Sequence, residues 1–460
     1  MGVKDREGWN APVPWPSVPT ASGEVVDLLQ QLIRNACVND GTASSGHEVR
    51  NVEVLRSLLD GPGLELETYE PLAGRASLVA RIEGDDPAAP SLLLLGHTDV
   101  VPASPERWRR DPYGGDLVDG VVWGRGAVDM LNLTATMAMA VRDLARDGFR
   151  PRGTLIYAAV ADEESGGGHG AGWLATHAAD AVRADFVITE SGGIPLPTPA
   201  GTRLPVMVAE KGIMWSRLTI RGTAGHGSRP LRTDNALVKA AEVVRRLAGY
   251  RGTAHIGEVW RRRVVAMGHS PELAAALLDP ERVYDAAMSL PLGEGRYAHA
   301  CTHTTIAPTT MRAGSKVNII PDRVDLEVDI RLLPGQTPEQ AREVLRDAIG
   351  DLGATVELTV LQEDTATESA IDTPLWASLQ RVAERMHPGA LLVPSLTVGG
   401  TDARYFRRAG AVAYGFGLFS DRMTFEEYTR MFHGDDERVD VDSLLLSTEL
   451  WGELARDFLA

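Results

Sequence analysis

The sequence has little cysteine, no long apolar run and an excess of acidic over basic residues. Only Cys37 and Cys301 occur in 460 residues, too few for a disulfide framework, and neither has the spacing of a metal ligand pair. No stretch approaches the roughly 18 apolar residues of a membrane-spanning helix. The net charge of -17 leaves no basic stripe for a nucleic acid. These absences argue against a disulfide-stapled, membrane-spanning or nucleic-acid-binding protein.

Two further signals are missing. Residues 1–19 are polar and contain no apolar segment behind a basic head, so secretion is not expected and a cytoplasmic location is predicted. No phosphate-cradling G-x-x-x-x-G-K-[ST] loop occurs, which weighs against a magnesium phosphohydrolase. With 44% hydrophobic residues, the chain can bury a large core, and its length predicts two domains.

The most informative segment is Leu92–Asp99, an apolar run that ends in a histidine and an aspartate two residues apart. Side chains at i and i+2 share one face of a strand, so Asp99 is placed to hold the ring of His97 in one tautomer for a metal ion. A core strand that meets solvent at a polar turn explains this motif equally well when it stands alone.

Four carboxylates elsewhere in the chain favour a metal site over a solvent-facing turn. They follow apolar segments that read as strands, and a second histidine comes late in the chain; the residues are Asp129, Glu163, Glu164, Glu190 and His433. Ligands of open α/β sheets bind at the carboxyl ends of strands, so these side chains are expected to converge. A mixture of imidazoles and carboxylates suits zinc or a related divalent ion better than calcium. A two-metal site bridged by one carboxylate is the economical interpretation.

The order of the patterns predicts the fold. Strands and helices alternate through Glu190, which predicts an α/β sheet with helices on both faces. From Gly212 the order is strand, helix, two strands, helix and strand, typical of an inserted α+β unit. We therefore predict a discontinuous catalytic domain, residues 1–211 and 364–460, and a lid, residues 212–363, with an extra helical segment at about 250–302.

These segments resemble, in order and spacing, the co-catalytic zinc hydrolase family of aminoacylase, carboxypeptidase G, acetylornithine deacetylase and succinyl-diaminopimelate desuccinylase. The motifs are G-H-T-D-V-V-P, G-R-G-A-V-D-M, D-E-E-S-G-G, T-E-S, A-G-H-G-S-R-P, N-I-I-P, G-G-T-D-A-R and H-G-D-D-E-R. The resemblance implies a zinc-peptidase-like mixed sheet with a dimerisation-type α+β sandwich lid. It also implies a homodimer through that lid, or a monomer if the extra segment replaces the second subunit. Met130–Leu133 depart from the lysine and small residues usual in the family, so this helix start is expected to pack differently.

The resemblance also assigns roles around the metals. His97 and Glu190 would hold one zinc ion and Glu164 and His433 the other, with Asp129 as the bridge; Co²⁺ or Mn²⁺ is expected to substitute. Asp99 would orient His97. Glu163 would be the general base that takes a proton from the zinc-bound water and passes it to the departing amine.

Further residues would act on the substrate. By resemblance, His226 stabilises the tetrahedral oxyanion, and Asn318 and Arg331 bind the substrate carboxylate, with Gly400 and Thr401 offering backbone N–H groups. Local patterns leave alternatives open: a surface-loop histidine for His226 and the wet face of a strand for Arg331.

The implied activity is hydrolysis of an amide in N-acyl-L-amino acids, since deacylases and carboxypeptidases of the family tend to have glutamate at the position of Glu190. The alternatives are a carboxypeptidase or dipeptidase acting on short peptides, and a deacetylase or desuccinylase of amino-acid biosynthesis. The length and the lid segment are similar to those of actinobacterial aminoacylases. A non-catalytic metal-binding protein on the same fold would lack the base, whereas Glu163 is present.

Overall fold

The computed structural model describes residues 20–460. The chain forms two compact units, one of residues up to Arg183 with Gly417–Ala460 and the other of Ala184–Phe416. The predicted division into a catalytic domain and a lid has different boundaries and stays a prediction. The N-terminal segment that predicts a non-secreted protein, residues 1–19, lies outside the described residues.

The first unit contains a mixed sheet. Its elements before Arg183 are α1 (Thr20–Arg34), α2 (Val49–Leu59), β1 (Glu65–Leu72), β2 (Arg75–Ile82), β3 (Leu92–His97), β4 (Asp116–Val118), β5 (Val121–Trp123), α3 (Leu131–Arg146), β6 (Leu155–Val160), α4 (Ala171–His177) and α5 (Ala179–Val182). Strand β2 is antiparallel to β1 and β6, and β3 is parallel to β6. Strand β3 is buried along its whole length, as an unbroken apolar run predicts.

Helix α3 is buried on almost all sides. Met130, Leu131 and Leu133, the residues that depart from the family pattern, are each only 1% exposed. The hydroxyl of Thr134 donates to the carbonyl of His97 at 2.7 Å, which ties the first turn of α3 to the end of β3. A side chain at Gly96 would collide with Thr134, so this close approach requires glycine.

The second unit also contains a mixed sheet. Its elements are β7 (Phe186–Thr189), β8 (Leu196–Thr198), β9 (Gly201–Glu210), β10 (Gly212–Arg221), β11 (Gly225–His226), α6 (Ala236–Gly249), α7 (Glu258–Met267), α8 (Pro271–Leu277), α9 (Val283–Ser289), α10 (Leu292–Thr302), β12 (Thr305–Ala313), β13 (Ile319–Ile320), β14 (Arg323–Leu332), α11 (Pro338–Ile349), β15 (Val356–Asp364), β16 (Thr367–Glu368), α12 (Pro374–Met386), β17 (Leu391–Thr397), α13 (Ala403–Arg408) and β18 (Val412–Gly415). Strand β9 is parallel to β17 and antiparallel to β8, β16 and β18, and β18 is parallel to β7.

The same unit contains a four-stranded antiparallel sheet in the order β12, β14, β10, β15. Its apolar face packs against α6 and α11, and β14 alternates strictly between buried and less buried residues. The strands and helices of this segment follow the predicted α+β order, and its role as a lid stays a prediction. Helices α7 to α10 lie between Glu258 and Thr302, within the segment predicted as a helical insertion at about 250–302.

After Gly417 the chain returns to the first unit through α14 (Phe425–Met431), β19 (Arg438–Asp440) and α15 (Val441–Phe458). Strand β19 pairs with β5, which pairs with β4. Helix α15 packs on α3, where the indole of Trp451 donates to the hydroxyl of Thr136 at 3.1 Å. None of the helices between residues 20 and 460 is long and apolar enough to span a membrane.

Candidate metal centre

His97 ends β3 and is almost fully buried. Its Nδ1 atom lies 3.0 Å from the backbone carbonyl oxygen of Asp99. A carbonyl oxygen can only accept, so Nδ1 carries the proton and Nε2 carries the lone pair. Nε2 lies 3.3 Å from Oδ1 of Asp129. The ring therefore presents its metal-binding nitrogen to the predicted bridging carboxylate.

The carboxylate of Asp99 has contacts beyond the one predicted. Its Oδ1 lies 3.6 Å from Nδ1 of His97, while the backbone carbonyl of Asp99 makes the shorter contact with the ring; its role in orienting His97 stays a prediction. The carboxylate accepts hydrogen bonds from the backbone N–H groups of Glu163 and Glu164 at 3.2 and 3.1 Å. Asp99 thus connects the end of β3 to the turn that carries the predicted base.

Glu163 and Glu164 begin a short 3₁₀ helix that follows β6. Asp162, just before it, has a left-handed backbone with φ of 70°. Both carboxylates lie close to the ring of His97, since each offers an oxygen within 4.8 Å of a His97 ring nitrogen. Glu164 lies 3.1 Å from Nε2 of His433, measured from its Oε2 atom.

His433 lies in the turn between α14 and β19, with φ of 54°. Its Nε2 atom is 3.4 Å from Oδ2 of Asp129. The two oxygens of the Asp129 carboxylate therefore face two different imidazoles, Oδ1 towards His97 and Oδ2 towards His433. This is the arrangement that a bridging carboxylate requires.

The spacing of these atoms fits a metal centre. His97, Asp129 and Glu164 each offer one ligand atom, and the three atoms lie within 4.8 Å of one another. Ligands about 2.0–2.2 Å from a tetrahedral zinc ion are roughly 3.3–3.6 Å apart. The contacts of Asp129 with the two histidines, 3.3 and 3.4 Å, agree with that spacing. The first unit thus brings together four of the five predicted ligands.

The pKa shifts of these residues indicate that the cluster stabilises positive charge. Hydrogen bonds to Asp129 and Glu164 raise the pKa of His433 to about 10. Burial raises the pKa of Glu164. Burial also opposes ionisation of Asp129, but its contacts with His433 and His97 outweigh it and hold the pKa of Asp129 below its usual range. Crowded carboxylates of this kind are stabilised by a cation between them.

Glu437 is a buried residue that the sequence analysis does not assign. Its carboxylate accepts hydrogen bonds from the backbone N–H groups of Gly126, Val128 and Asp129 at 3.0, 2.6 and 2.9 Å, and from Arg125 at 2.9 Å. These four donors lie in the loop that leads to the predicted bridging carboxylate. Glu437 therefore fixes the backbone on which Asp129 stands, and it lies four residues after His433.

A second set of unassigned polar residues supports Asp99. The amide of Asn39 donates to the Asp99 carboxylate at 2.8 Å, and its oxygen accepts from Arg75 at 3.0 Å. Arg75 is 2% exposed and pairs with Glu48 at 2.7 Å. A chain of buried hydrogen bonds thus leads from Glu48 to the turn of the predicted base. Such outer contacts orient the groups that bind a metal.

The other predicted site residues belong to the second unit. Glu190 is buried and directly follows β7. His226 is exposed in β11, where it pairs with Ile319, so the structure brings it next to Asn318, whose carbonyl accepts from the N–H of Gly227 at 2.8 Å.

Arg331 and Thr401 have partners within that unit. The guanidinium of Arg331 donates to the carboxylate of Asp329 at 2.8 and 3.1 Å. The N–H and the hydroxyl of Thr401 both donate to Glu210, at 2.6 and 3.0 Å. The substrate-binding roles predicted for Arg331, Gly400 and Thr401 stay predictions. Because the N–H group and the hydroxyl of Thr401 already donate to Glu210, they would have to release this carboxylate to bind a substrate.

A known protein family matches most of the chain. The model described as Peptidase family M20/M25/M40 matches residues 93–457, well over half of the chain. The chain belongs to this family. The match confirms the family resemblance inferred from the motifs.

Curated M20 relatives include two aminoacylases and an acyl-amino acid hydrolase. Aminoacylase-1 of Sus scrofa is 30% identical over 395 residues, covering 85% of this chain and 86% of that protein. Aminoacylase-1 of Mus musculus is 28% identical and covers 94% of this chain and 95% of that protein. The N-fatty-acyl-amino acid synthase/hydrolase PM20D1 of Xenopus tropicalis is 28% identical and covers 85% and 76%.

Solved M20 structures share the fold. A metallo-carboxypeptidase of Sulfolobus solfataricus has a TM-score of 0.69 at 18% identity, covering 96% of this chain and 99% of that chain. The dipeptidase Dug1p of Saccharomyces cerevisiae has a TM-score of 0.67 at 15% identity and covers 95% and 98%. A dinuclear metal-binding peptidase of Bacillus subtilis has a TM-score of 0.57 at 15% identity, with the same coverage.

Membership of the M20 family establishes the class of enzyme. The protein is a metal-dependent hydrolase of amide or peptide bonds, and its mixed α/β fold is that of M20 peptidases. His97, Asp129, Glu164 and His433 fit this chemistry, because histidine and carboxylate side chains are the types of ligand that hold divalent ions in hydrolases.

Proposed function

We propose that the protein is an amidohydrolase of N-acyl-L-amino acids that uses two zinc ions. The observation that carries the metal chemistry is the Asp129 carboxylate, whose two oxygens lie 3.3 and 3.4 Å from different imidazoles. The substrate class is supported by the aminoacylase-1 of Sus scrofa, 30% identical over 395 residues.

The ligands follow from this proposal. His97 and Glu190 would hold one ion, Glu164 and His433 would hold the other, and Asp129 would be shared between them. Two divalent ions bound there supply Lewis acidity for the amide carbonyl and lower the pKa of a water molecule towards neutrality. Co²⁺ or Mn²⁺ substitutes for zinc, because the same nitrogen and oxygen ligands accept these ions.

Glu163 is the general base and acid in this proposal. It takes a proton from the attacking water and returns it to the departing amine nitrogen, so the carboxylate ends the cycle as it began. Its backbone N–H is fixed by Asp99 at 3.2 Å, which limits the positions that its side chain can reach. A rigidly held base is what proton transfer within hydrogen-bond reach requires.

The substrate is bound by residues of the second unit. His226 donates to the oxyanion, and its Nδ1 atom lies 2.8 Å from the hydroxyl of Ser228, which fixes the ring. Arg331 and Asn318 take the α-carboxylate, and Arg331 does so by exchanging Asp329 for the substrate. Gly400 and Thr401 complete that wall of the pocket.

A carboxypeptidase is the second candidate. It is favoured by the similarity to a probable carboxypeptidase S-like protein of Dictyostelium discoideum, 25% identical over 373 residues. Both activities need an acyl group on one side of the scissile amide and a free carboxylate on the other. They differ in whether the acyl group is a simple acid or an amino acid.

The deciding experiment is a panel of substrates that share one amino acid. N-acetyl-, long-chain N-acyl- and aminoacyl-methionine are assayed with zinc and with cobalt, and Glu163→Gln protein prepared in parallel serves as the control for contaminating hydrolases. We expect at least one acyl-methionine to exceed the dipeptide at least tenfold in kcat/KM. A dipeptide preferred by the same factor would replace the aminoacylase proposal with the peptidase.

A further inference from the structure

The second unit contains a cavity of about 650 Å³, bordered by the helical insertion, the end of α6 and the start of β12. This volume lies in the range of small-molecule sites. Most of its walls are apolar, and they include Leu247 of α6, Tyr284 of α9 and Ile306 of β12. None of its lining residues is a predicted metal ligand or substrate-binding residue. The cavity is therefore a candidate site of its own.

One face of α10 forms the remaining wall. The residues of this helix that line the cavity have the spacing of one helical face, and they are Leu292, Gly295, Arg296, His299 and Ala300. Arg296 and His299 are three residues apart, so both side chains leave the helix on the side of the cavity. Arg296 is exposed, and among residues 20–460 it has no carboxylate partner. Its guanidinium is thus available to a ligand.

The surroundings of the cavity are positively charged. The ammonium of Lys211 donates to the carbonyl of Ala300 at 2.9 Å and to the hydroxyl of Thr305 at 3.3 Å, and both residues line the cavity. Burial and the charge of Lys211 lower the pKa of His299. The described residues that line the cavity include no aspartate or glutamate, although the chain has 63 acidic residues. These charges favour an anionic ligand.

The mouth of the cavity is apolar. Met288 and Leu292 line it, and they are 73% and 68% exposed. Large apolar side chains that are exposed together mark a surface that binds apolar groups. A small inorganic anion would leave this surface in contact with water, whereas an anion with an apolar chain would cover it.

We propose that this cavity binds a medium-chain aliphatic carboxylate. The carboxylate pairs with Arg296, whose planar fork of N–H donors matches it, and the chain packs on Met288, Leu292 and the apolar walls. An alcohol of the same length satisfies only the walls, and an alkylammonium ion places its charge beside Arg296. The proposed binding stands on the cavity alone. Hydrolysis of a long-chain N-acyl amino acid would release such a carboxylate, and this link rests on the proposed function.

The test measures binding of decanoate to the metal-loaded full chain by isothermal titration calorimetry, beside 1-decanol and decylamine. Decanoate should bind at least tenfold more tightly than the alcohol, and the amine should not bind measurably. Arg296→Gln should weaken decanoate binding about tenfold, since it removes a charge-assisted contact. Arg261→Gln, which changes an exposed arginine of α7 outside the cavity lining, should leave it unchanged. Equal affinity for decanoate and decanol would exclude Arg296 as the partner of the carboxylate.

A carboxylate can also bind a metal ion, so a second pair of variants tests the cavity itself. Ala248 of α6 is exposed and lines the cavity, whereas Ala241 of the same helix is exposed and does not. Ala248→Phe should reduce the space for the chain and weaken decanoate binding at least tenfold, and Ala241→Phe should not. Unchanged affinity in Arg296→Gln or in Ala248→Phe would place decanoate elsewhere, and no binding to the wild-type protein would remove the site. Either result leaves the proposed hydrolysis untouched, because that is read from turnover.

Discussion

The carboxylate of Glu437 accepts a hydrogen bond from the backbone N–H of Asp129 at 2.9 Å, across 308 residues of sequence. The same carboxylate accepts from the two neighbouring N–H groups and from an arginine. It is fully buried and lies four residues after His433. The Glu437 side chain thus fixes the loop that carries Asp129 relative to the turn that carries His433.

We predict that Glu437→Gln lowers metal affinity about 10- to 100-fold, the range found for groups that orient metal ligands. The amide replaces an acceptor with a donor that faces backbone N–H groups. Metal content after dialysis against graded chelator is the measurement, with exposed Glu426→Gln of α14 as the control. Equal metal retention in the two variants would assign Glu437 to folding alone.

Local sequence was sufficient to predict that His97, Asp129 and Glu164 lie together, while their role as metal ligands stays a prediction. Each of them ends a recognisable apolar segment or glycine-rich run, so pattern and residue type coincide at His97, Asp129 and Glu164. The α+β pattern of the second unit was readable for the same reason: β14 alternates residue by residue, and α11 begins at a proline after a threonine cap.

The supporting residues could not be predicted in the same way. Asn39, Arg75 and Glu437 find their partners 27 to 312 residues away, and their neighbours in sequence give no sign of burial. Asp99 shows the limit most clearly. Strand geometry places its carboxylate beside His97, and Oδ1 lies 3.6 Å from Nδ1, but the chain turns after β3, so that the backbone carbonyl makes the shorter contact.

The role of Glu163 is tested by Glu163→Gln. We expect turnover to fall about 10²- to 10⁴-fold with normal metal content, since the amide cannot accept the proton of water. Glu164→Gln is the matched variant, one residue away, and should lose metal because it removes a ligand that contacts His433. Elemental analysis beside kcat separates the two. Appreciable turnover of metal-loaded Glu163→Gln protein would exclude it as the base.

Asp99 is expected to act on catalysis through the backbone of Glu163 and Glu164. Asp99→Asn turns one of its oxygens into a donor that faces an N–H group, so we expect kcat to fall about 10- to 100-fold. Thr98→Val is the control: it removes a buried hydrogen bond of the neighbouring residue to Val160 without touching the turn. Both variants should lose thermal stability, but only Asp99→Asn should lose kcat. Equal losses of kcat in Asp99→Asn and Thr98→Val would mean that Asp99 only stabilises the fold.

Lys211 gives a prediction for pH. Its ammonium is buried and donates to the carbonyls of Ala300 and His303 at 2.9 and 2.8 Å. Burial lowers its pKa from 10.5 to about 7. Between these two pH values the unfolded chain holds a proton that the folded protein has released, so folding stability rises with pH across this window.

We therefore compare wild type with Lys211→Met by calorimetry at pH 7 and pH 9.5. The variant loses the hydrogen bonds of Lys211 at both pH values. Only the wild type gains stability as Lys211 deprotonates, so the Tm of the wild type minus that of the variant should increase from pH 7 to pH 9.5. Lys316→Met, at an exposed lysine of the same unit, should show no such change. A difference that stays constant would mean that the carbonyls at the end of α10 are sufficient to keep the buried ammonium charged, since the negative end of a helix stabilises a cation.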